Sequence, residues 1–260
     1  MNDGSVFSDR GVAILGGTGG VGIEAACGFA ENGARGVVLL GRNAERGARA
    51  CDTVRSRVPD ARVSFVAVDA TNPAEVEKAA VEAERQLGQI DVLVTTSGPT
   101  DTPRLLHRFT LEEMSPVLDS IVLPPILMVG AVLPAMRARG DGVIVAVASD
   151  AAKVATPGES LIGAGMAAIA MFARTAAVEA KREGVRINVV TPSVIAESTG
   201  SAILFADPFS TKLWDKAASL ASLGVPNTRD VADTILFLAG PAARRITGQV
   251  VSVNGGISVA

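Results

Sequence analysis

Apolar residues fall in short continuous runs along this chain, and amphipathic stretches separate the runs. The runs at 12–16, 36–40, 63–68, 90–94, 142–148, 185–190 and 249–253 predict seven strands. The second, third and fourth are nearly uninterrupted by polar residues, as expected where helices cover both faces of a sheet. The stretches between them predict helices over 20–32, 43–57, 110–139, 157–182 and 230–239. Another helix starts at Thr71 or Asn72 with Pro73 in its first turn and closes at Gly88. Asn43 caps the second helix and Pro59 stops it, and a bend is expected at Pro124–Pro125 in the long helix after strand four. The segment 193–227 reads as irregular, with one amphipathic helix near Trp214. Strand and helix alternate from end to end. That predicts an α/β, doubly wound parallel sheet of the Rossmann-like kind, a single domain over residues 1–260.

The first strand ends in Gly16-Gly17-Thr18-Gly19-Gly20-Val21-Gly22, and a helix follows at once. Such a turn lets backbone N–H groups approach a pyrophosphate, and the helix dipole favours the negative charge. A lone glycine-rich turn is weak evidence. This one opens a long strand–helix series, which is the context the motif requires.

Bulk properties add exclusions. A net charge of −3 gives no basic footprint for nucleic acid. The start, Met1 to Ser5, lacks the basic and apolar pattern of a signal segment. The apolar stretch Ile121–Met136 contains Pro124, Pro125 and Pro134 and falls short of the ~20 residues of a membrane span, so no membrane and a cytoplasmic location are expected. Cys27 and Cys51 form no metal or redox spacing, read as reduced thiols, and imply no metal. The chain contains no tyrosine.

With these residues in hand, the chain resembles the short-chain dehydrogenase/reductase family in its single-domain branch, over nearly everything from Gly11 onward. The landmarks are the Gly16-Gly20-Gly22 turn, Val68-Asp69, Asp91-Val92-Leu93-Val94, Ile187-Asn188-Val189-Val190-Thr191-Pro192, and the ending Ile246-Thr247-Gly248-Gln249-Val250 with Val253-Asn254-Gly255-Gly256. The resemblance implies a dinucleotide site at Gly16, Thr18, Gly20, Val21, Gly22, Arg42, Asp69, Ala70 and Gly98. In relatives an acid at the Gly41 position binds the ribose hydroxyls of NAD. Glycine there leaves room for a 2′-phosphate that Arg42 can pair with, so NADP(H) is the expected cofactor. A solvated arginine is the plainer reading of Arg42. Asp69 corresponds to the residue that bonds the adenine amine in relatives, and a strand-end aspartate is its plainer reading.

The reactive half departs from the family. Relatives carry a Tyr-x-x-x-Lys pair on the helix after strand five, one face of one helix, where the lysine tunes the tyrosine as proton donor. Those positions hold Ile162 and Met166, which can neither titrate nor donate a hydrogen bond. The asparagine position in the helix after strand four holds Ile121. Asn-Asn-Ala-Gly has become Thr95-Thr96-Ser97-Gly98, Pro-Gly has become Pro192-Ser193, and a carboxamide-binding threonine aligns with Glu197. The serine that polarises the substrate oxygen is retained as Ser149, the one catalytic candidate. Asp150, Lys153, Glu159, Ser160 and His107 are polar residues near the expected mouth, each read individually as a solvated loop residue.

Two readings of Ile121, Ile162 and Met166 stay open: decay of a dead site, or a pocket reshaped around an apolar ligand. Three functions follow. One is an enzyme with changed chemistry, an unusual reduction or a non-redox dehydration, isomerisation or cyclisation of an apolar small molecule. Another is a non-catalytic subunit paired with an intact relative in a mixed tetramer. The third is an NADPH-dependent carbonyl reductase with another proton donor. A homodimer or homotetramer is expected from apolar faces at Val117, Ile121, Val122, Leu127, Met128 and Leu133 on one long helix, and Ile169, Phe172, Ala176 and Ala177 on the other.

Overall fold

The computed structural model describes residues 6–98, 102–196 and 208–260. Seven parallel strands form one sheet: β1 (Gly11–Leu15), β2 (Gly36–Gly41), β3 (Val63–Ala67), β4 (Val92–Thr95), β5 (Gly142–Val147), β6 (Val185–Pro192) and β7 (Val250–Val253). Their order is β3-β2-β1-β4-β5-β6-β7. The helices are α1 (Gly20–Glu31), α2 (Ala44–Arg57), α3 (Pro73–Leu87), α4 (Leu111–Arg139), α5 (Ser160–Ala180), α6 (Pro208–Leu220) and α7 (Thr228–Ala239). Every strand lies within two residues of its expected span.

Alternation along the strands sorts the core into two layers. Leu93 on β4 and Ile144, Ala146 and Ala148 along and just beyond β5 face α3, α4 and α5, together with Ile121, Ile162 and Met166. Val92, Val94, Val143 and Val145 face α1, α2 and α7. The order in which strands are added reverses at β1, whose neighbours are β2 on one side and β4 on the other. A doubly wound sheet opens its ligand crevice outside the strand C-termini at such a reversal.

Local chemistry fixes the ends. Asn43 accepts from the Arg46 N–H at 2.8 Å, and Asn72 accepts from Ala74 at 3.0 Å with Pro73 behind it. Each side-chain oxygen thereby satisfies an orphan donor of its helix. Two expectations need correction. α4 runs without interruption through Pro116, Pro124, Pro125 and Pro134. The Ser120 hydroxyl donates to the Val117 carbonyl at 2.8 Å within this helix, and Pro124 and Pro125 are buried against the core. The prolines therefore do not shorten this apolar element. α4 and the span Ser160–Glu183 are both long and apolar enough to cross a membrane, yet they pack on each other and on the sheet as core helices. α5 also starts at Ser160 rather than Pro157, because Gly158 sits at φ +87, outside helical space, where a Cβ would lie 2.5 Å from the Phe209 ring.

Burial also revises the expected apolar faces. Val117, Ile121 and Met128 on α4 and Ile169, Ala176 and Ala177 on α5 are spent on the internal core. The large apolar residues left outside on these two helices are Leu111, Met171 and Val178.

Candidate functional site

The turn after β1 is built around contacts that admit no side chain. Gly16 takes φ +79, and a Cβ there would lie 2.7 Å from Thr96 Oγ1 and 2.8 Å from the Ser97 nitrogen. A Cβ at Gly22 would lie 2.5 Å from the Gly16 carbonyl oxygen. The turn closes through Gly19 N–H donating to Gly16 O at 3.1 Å. α1 then begins at Gly20 with no side-chain cap and no acid in its first turn. Its first N–H groups, those of Gly20, Val21 and Gly22, are thus left for an anion.

Thr18 reaches across to the end of β2. A Cβ at Gly41 would meet Thr18 at 3.6 Å, an ordinary contact, so packing does not force glycine there. Arg42, next in sequence, is exposed. Asp69 follows β3 and is also exposed, with Ala70 buried behind it. The Thr71 hydroxyl and N–H donate to Asp69 Oδ1 at 2.7 and 3.0 Å. Those bonds, helped by the Arg42 charge, hold the Asp69 carboxyl below its usual value. Arg42 and Asp69 therefore lie within electrostatic reach, flanking one end of the turn. These features fit a dinucleotide: a capless helix start, glycines where backbone must be bare, and an exposed guanidinium at the end of β2.

At the other end, β4 finishes in Thr95, Thr96 and Ser97. Thr96 donates to the Leu15 carbonyl through its N–H at 2.7 Å and its hydroxyl at 3.1 Å. Gly98 is exposed and a Cβ there would meet nothing within 4 Å. Thr95 and Ser97 have buried hydroxyl oxygens with no partner among the described residues.

Ser149 stands just past β5. Its Oγ accepts from the Ala151 N–H at 3.2 Å, so the hydroxyl proton remains available to donate. Ile121, Ile162 and Met166 are 1%, 6% and 2% exposed and belong to one apolar cluster with Ala146 and Ala148. A Cβ at Gly165 would lie 2.7 Å from Ile121 Cγ2, which shows how closely α4 approaches α5 beside Met166. All three side chains are buried in the core layer on the α4–α5 side of the sheet. Glu197 lies outside the described residues.

Of the polar residues near the expected mouth, His107 and Ser160 are exposed, as read from the sequence. Asp150 is not solvated. It is 5% exposed. Ser252 donates to its Oδ1 at 3.1 Å, while Ser258 (2.8 Å) and the Asn254 amide donate to Oδ2. Lys153 stands 3.7 Å from Oδ1 and also bonds Ser252. This cluster ties the residue after Ser149 to β7 and the segment beyond it. Glu159 is partly buried too; desolvation pushes its carboxyl above the ordinary range against a hydrogen bond from Thr156.

A cavity of about 510 Å³ lies at the opposite, N-terminal edge of the sheet, lined by Arg10, Asp141, Arg186 and Arg244 among others. It holds none of the turn residues. Arg186 there donates to the Leu238 and Ala239 carbonyls at 2.8 and 3.2 Å, closing the end of α7.

A family model described as Enoyl-(Acyl carrier protein) reductase matches residues 16–258. The chain belongs to the short-chain dehydrogenase/reductase family. It is 30% identical to a 3-oxoacyl-[acyl-carrier-protein] reductase of Chlamydia muridarum, over 98% of this chain and 99% of that one. It is 31% identical to a cis-4-hydroxycyclohexanecarboxylate dehydrogenase of Sinomonas cyclohexanicum, over 97% and 98% of the two chains. Among solved structures, levodione reductase superposes with a TM-score of 0.90 at 26% identity, covering 96% of this chain and 98% of that one. These relatives are named as two reductases and a dehydrogenase.

Proposed function

We propose that this family member binds NADP(H) and an apolar small molecule and works without a Tyr/Lys acid–base pair. The observation that carries the reading is the burial of Ile121, Ile162 and Met166 in one apolar cluster, at the positions where the family resemblance would put polar groups. No group there can exchange a proton, and the chain has no tyrosine to supply from elsewhere. NADP(H) rather than NAD(H) is supported by Gly41, which places no acid at the end of β2, and by the exposed Arg42 beside it.

Bound nicotinamide would supply or accept a hydride. The chain's own part is binding and polarisation. The open N-terminus of α1 takes the pyrophosphate, and Arg42 takes the 2′-phosphate. Ser149 donates its hydroxyl proton in a hydrogen bond to a ligand oxygen, held in orientation by the Ala151 N–H. Such a bond polarises a carbonyl or steadies an alkoxide, which serves an unusual reduction or a non-redox dehydration, isomerisation or cyclisation. The apolar character that Ile121, Ile162 and Met166 give this side of the sheet supports an apolar rather than a polar ligand.

A second reading is a non-catalytic subunit in a mixed tetramer with an intact relative. Met171 and Val178, exposed on α5 at 59% and 62%, favour some covering partner. A third is a carbonyl reductase with another proton donor, for which the names of the relatives speak. A homodimer or homotetramer and a cytoplasmic location complete the proposal. Titration calorimetry with NADP⁺ and NAD⁺ tests the cofactor: tighter NADP⁺ binding is expected, and tighter NAD⁺ binding or none of either overturns it.

A further inference from the structure

We propose that the cavity at the N-terminal edge of the sheet is a second binding site, one that takes a small molecule carrying a diphosphate group. It stands apart from the dinucleotide site. β5 is six residues long, so roughly 20 Å of strand separates this cavity from the crevice at the strand C-termini.

Three observations carry the proposal. The first is size. A volume of about 510 Å³ falls in the range of small-molecule sites. The second is charge. Arg10, Lys181, Arg186, Arg244 and Arg245 line the cavity against one carboxylate, Asp141, among the described residues. The chain as a whole carries −3, so this excess of cations is local. A concave wall of one sign focuses its field and gathers ions of the other.

The third is that these charges are not neutralised from within. Asp141 is taken up by Arg10. Asp91, 3.8 Å from Arg10, already holds Arg35 at 3.0 Å. Lys181, Arg186, Arg244 and Arg245 enter no ion pair among the described residues. Arg186 is partly buried and held by neutral acceptors. Its Nη1 donates to the Leu238 and Ile246 carbonyls at 2.8 and 3.3 Å, and its Nη2 to those of Ala239 and Gly240 at 3.2 and 3.4 Å. These bonds fix the guanidinium in place and leave its charge uncompensated. Burial first, and then the Arg10 charge, push it below its usual value, against the weaker pull of Asp141. A desolvated cation beside another cation gains from a bound anion.

The layout favours phosphate. Lys181, Arg244 and Arg245 are exposed, whereas Arg10 and Arg186 are partly buried. Lys181 comes from the end of α5, and Arg244 and Arg245 come from the segment between α7 and β7. Guanidinium forks match phosphate oxygens in pairs, and a diphosphate spreads its charge over several forks at once.

Calorimetry with inorganic pyrophosphate at low salt tests the proposal, with saturating NADP⁺ present to fill the glycine turn. One pyrophosphate should bind per chain, raise Tm, and bind more weakly as salt rises. Arg186 also closes the end of α7, so the test uses the exposed pair instead. Arg244→Gln with Arg245→Gln should weaken pyrophosphate about tenfold or more. The ligand-free Tm of that variant should match or exceed the wild type, because repulsion within the cluster is relieved. Arg62→Gln with Lys78→Gln removes equal charge from exposed positions on the β3 side of the sheet and should leave affinity within about twofold. Absence of pyrophosphate binding by the wild type overturns the proposal, as does equal weakening by the two double variants. Loss of pyrophosphate binding on adding NADP⁺ overturns it too, since the ligand then sits at the glycine turn. Tighter binding of citrate than of pyrophosphate overturns the phosphate assignment. If NADP⁺ itself does not bind, the cofactor reading alone has failed, and the same two variants decide this proposal on the free protein.

Discussion

Replacing Asp150 by alanine tests whether the segment carrying Ser149 is anchored as described. The carboxylate is 5% exposed and collects donors from Ser252 at 3.1 Å, Ser258 at 2.8 Å and the Asn254 amide, with the Lys153 ammonium at 3.7 Å. Hydrogen bonds to a charged acceptor contribute about 1.5–3 kcal/mol each, but they are not additive within one cluster. Asn254 keeps its bonds to the Ser258 carbonyl and hydroxyl, and Lys153 keeps Ser252. The net cost of Asp150→Ala is therefore about 3–4 kcal/mol, in the range for breaking a buried ionic contact from one side. Lys153→Met should cost less, about 1 kcal/mol, because three donors still serve the carboxylate. Urea unfolding at neutral pH measures both. Hydrogen exchange should show the Ala151 amide, bonded to Ser149 Oγ, losing protection in the Asp150 variant. A cost below about 1 kcal/mol for Asp150→Ala, or a larger one for Lys153→Met, would refute the anchoring argument.

Arg42→Ala should lower NADP⁺ affinity about tenfold and leave NAD⁺ affinity level, by calorimetry, through loss of one charge-assisted phosphate contact. Glu159→Gln should stabilise the protein at neutral pH. Its carboxyl is raised by desolvation, so the folded state binds the proton more tightly than the unfolded. The gain should vanish as pH falls below the ordinary carboxylate value and be complete above the raised one; urea midpoints across pH that show no such trend would contradict it. Light scattering at micromolar concentration should find a dimer or tetramer, and Met171→Glu with Val178→Glu should shift it toward monomer. Ile162→Tyr alone should restore no ketone reduction, since Met166 leaves the phenol untuned and Ile121 leaves the relay position apolar; a gain of turnover would count against the account.

The sheet was legible because buried parallel strands write themselves as apolar runs, and because Asn43 and Asn72-Pro73 mark helix starts with side-chain chemistry and Gly88 marks a helix end with its positive φ. The turn at Gly16 to Gly22 was legible for the same local reason. Tertiary facts were not. The span of α4 through Pro124-Pro125 was legible, but nothing in the two prolines announces that both are buried. Asp150 reads as a loop residue, and its partners lie about a hundred positions onward in Ser252, Asn254 and Ser258. The start of α7 at Thr228 was missed, although Asn227 and Asp230 spell a capping box. Thr95 and Ser97 registered only as departures from a family pattern. Their hydroxyl oxygens are buried and without a partner among the described residues, which no local pattern announces.

The proposal tested most directly is that this chain works without a Tyr/Lys acid–base pair. The direct measurement follows NADPH absorbance and carbonyl loss together, with wild-type protein and a panel of simple ketones. A missing general acid costs roughly 10²–10⁴ in rate, so the account predicts negligible NADPH oxidation. Any conversion of the native apolar substrate by a non-redox route should leave NADPH unspent and weaken on Ser149→Ala. Robust NADPH oxidation, matched mole for mole by carbonyl loss, would contradict the account and make the protein an ordinary reductase with a different proton donor.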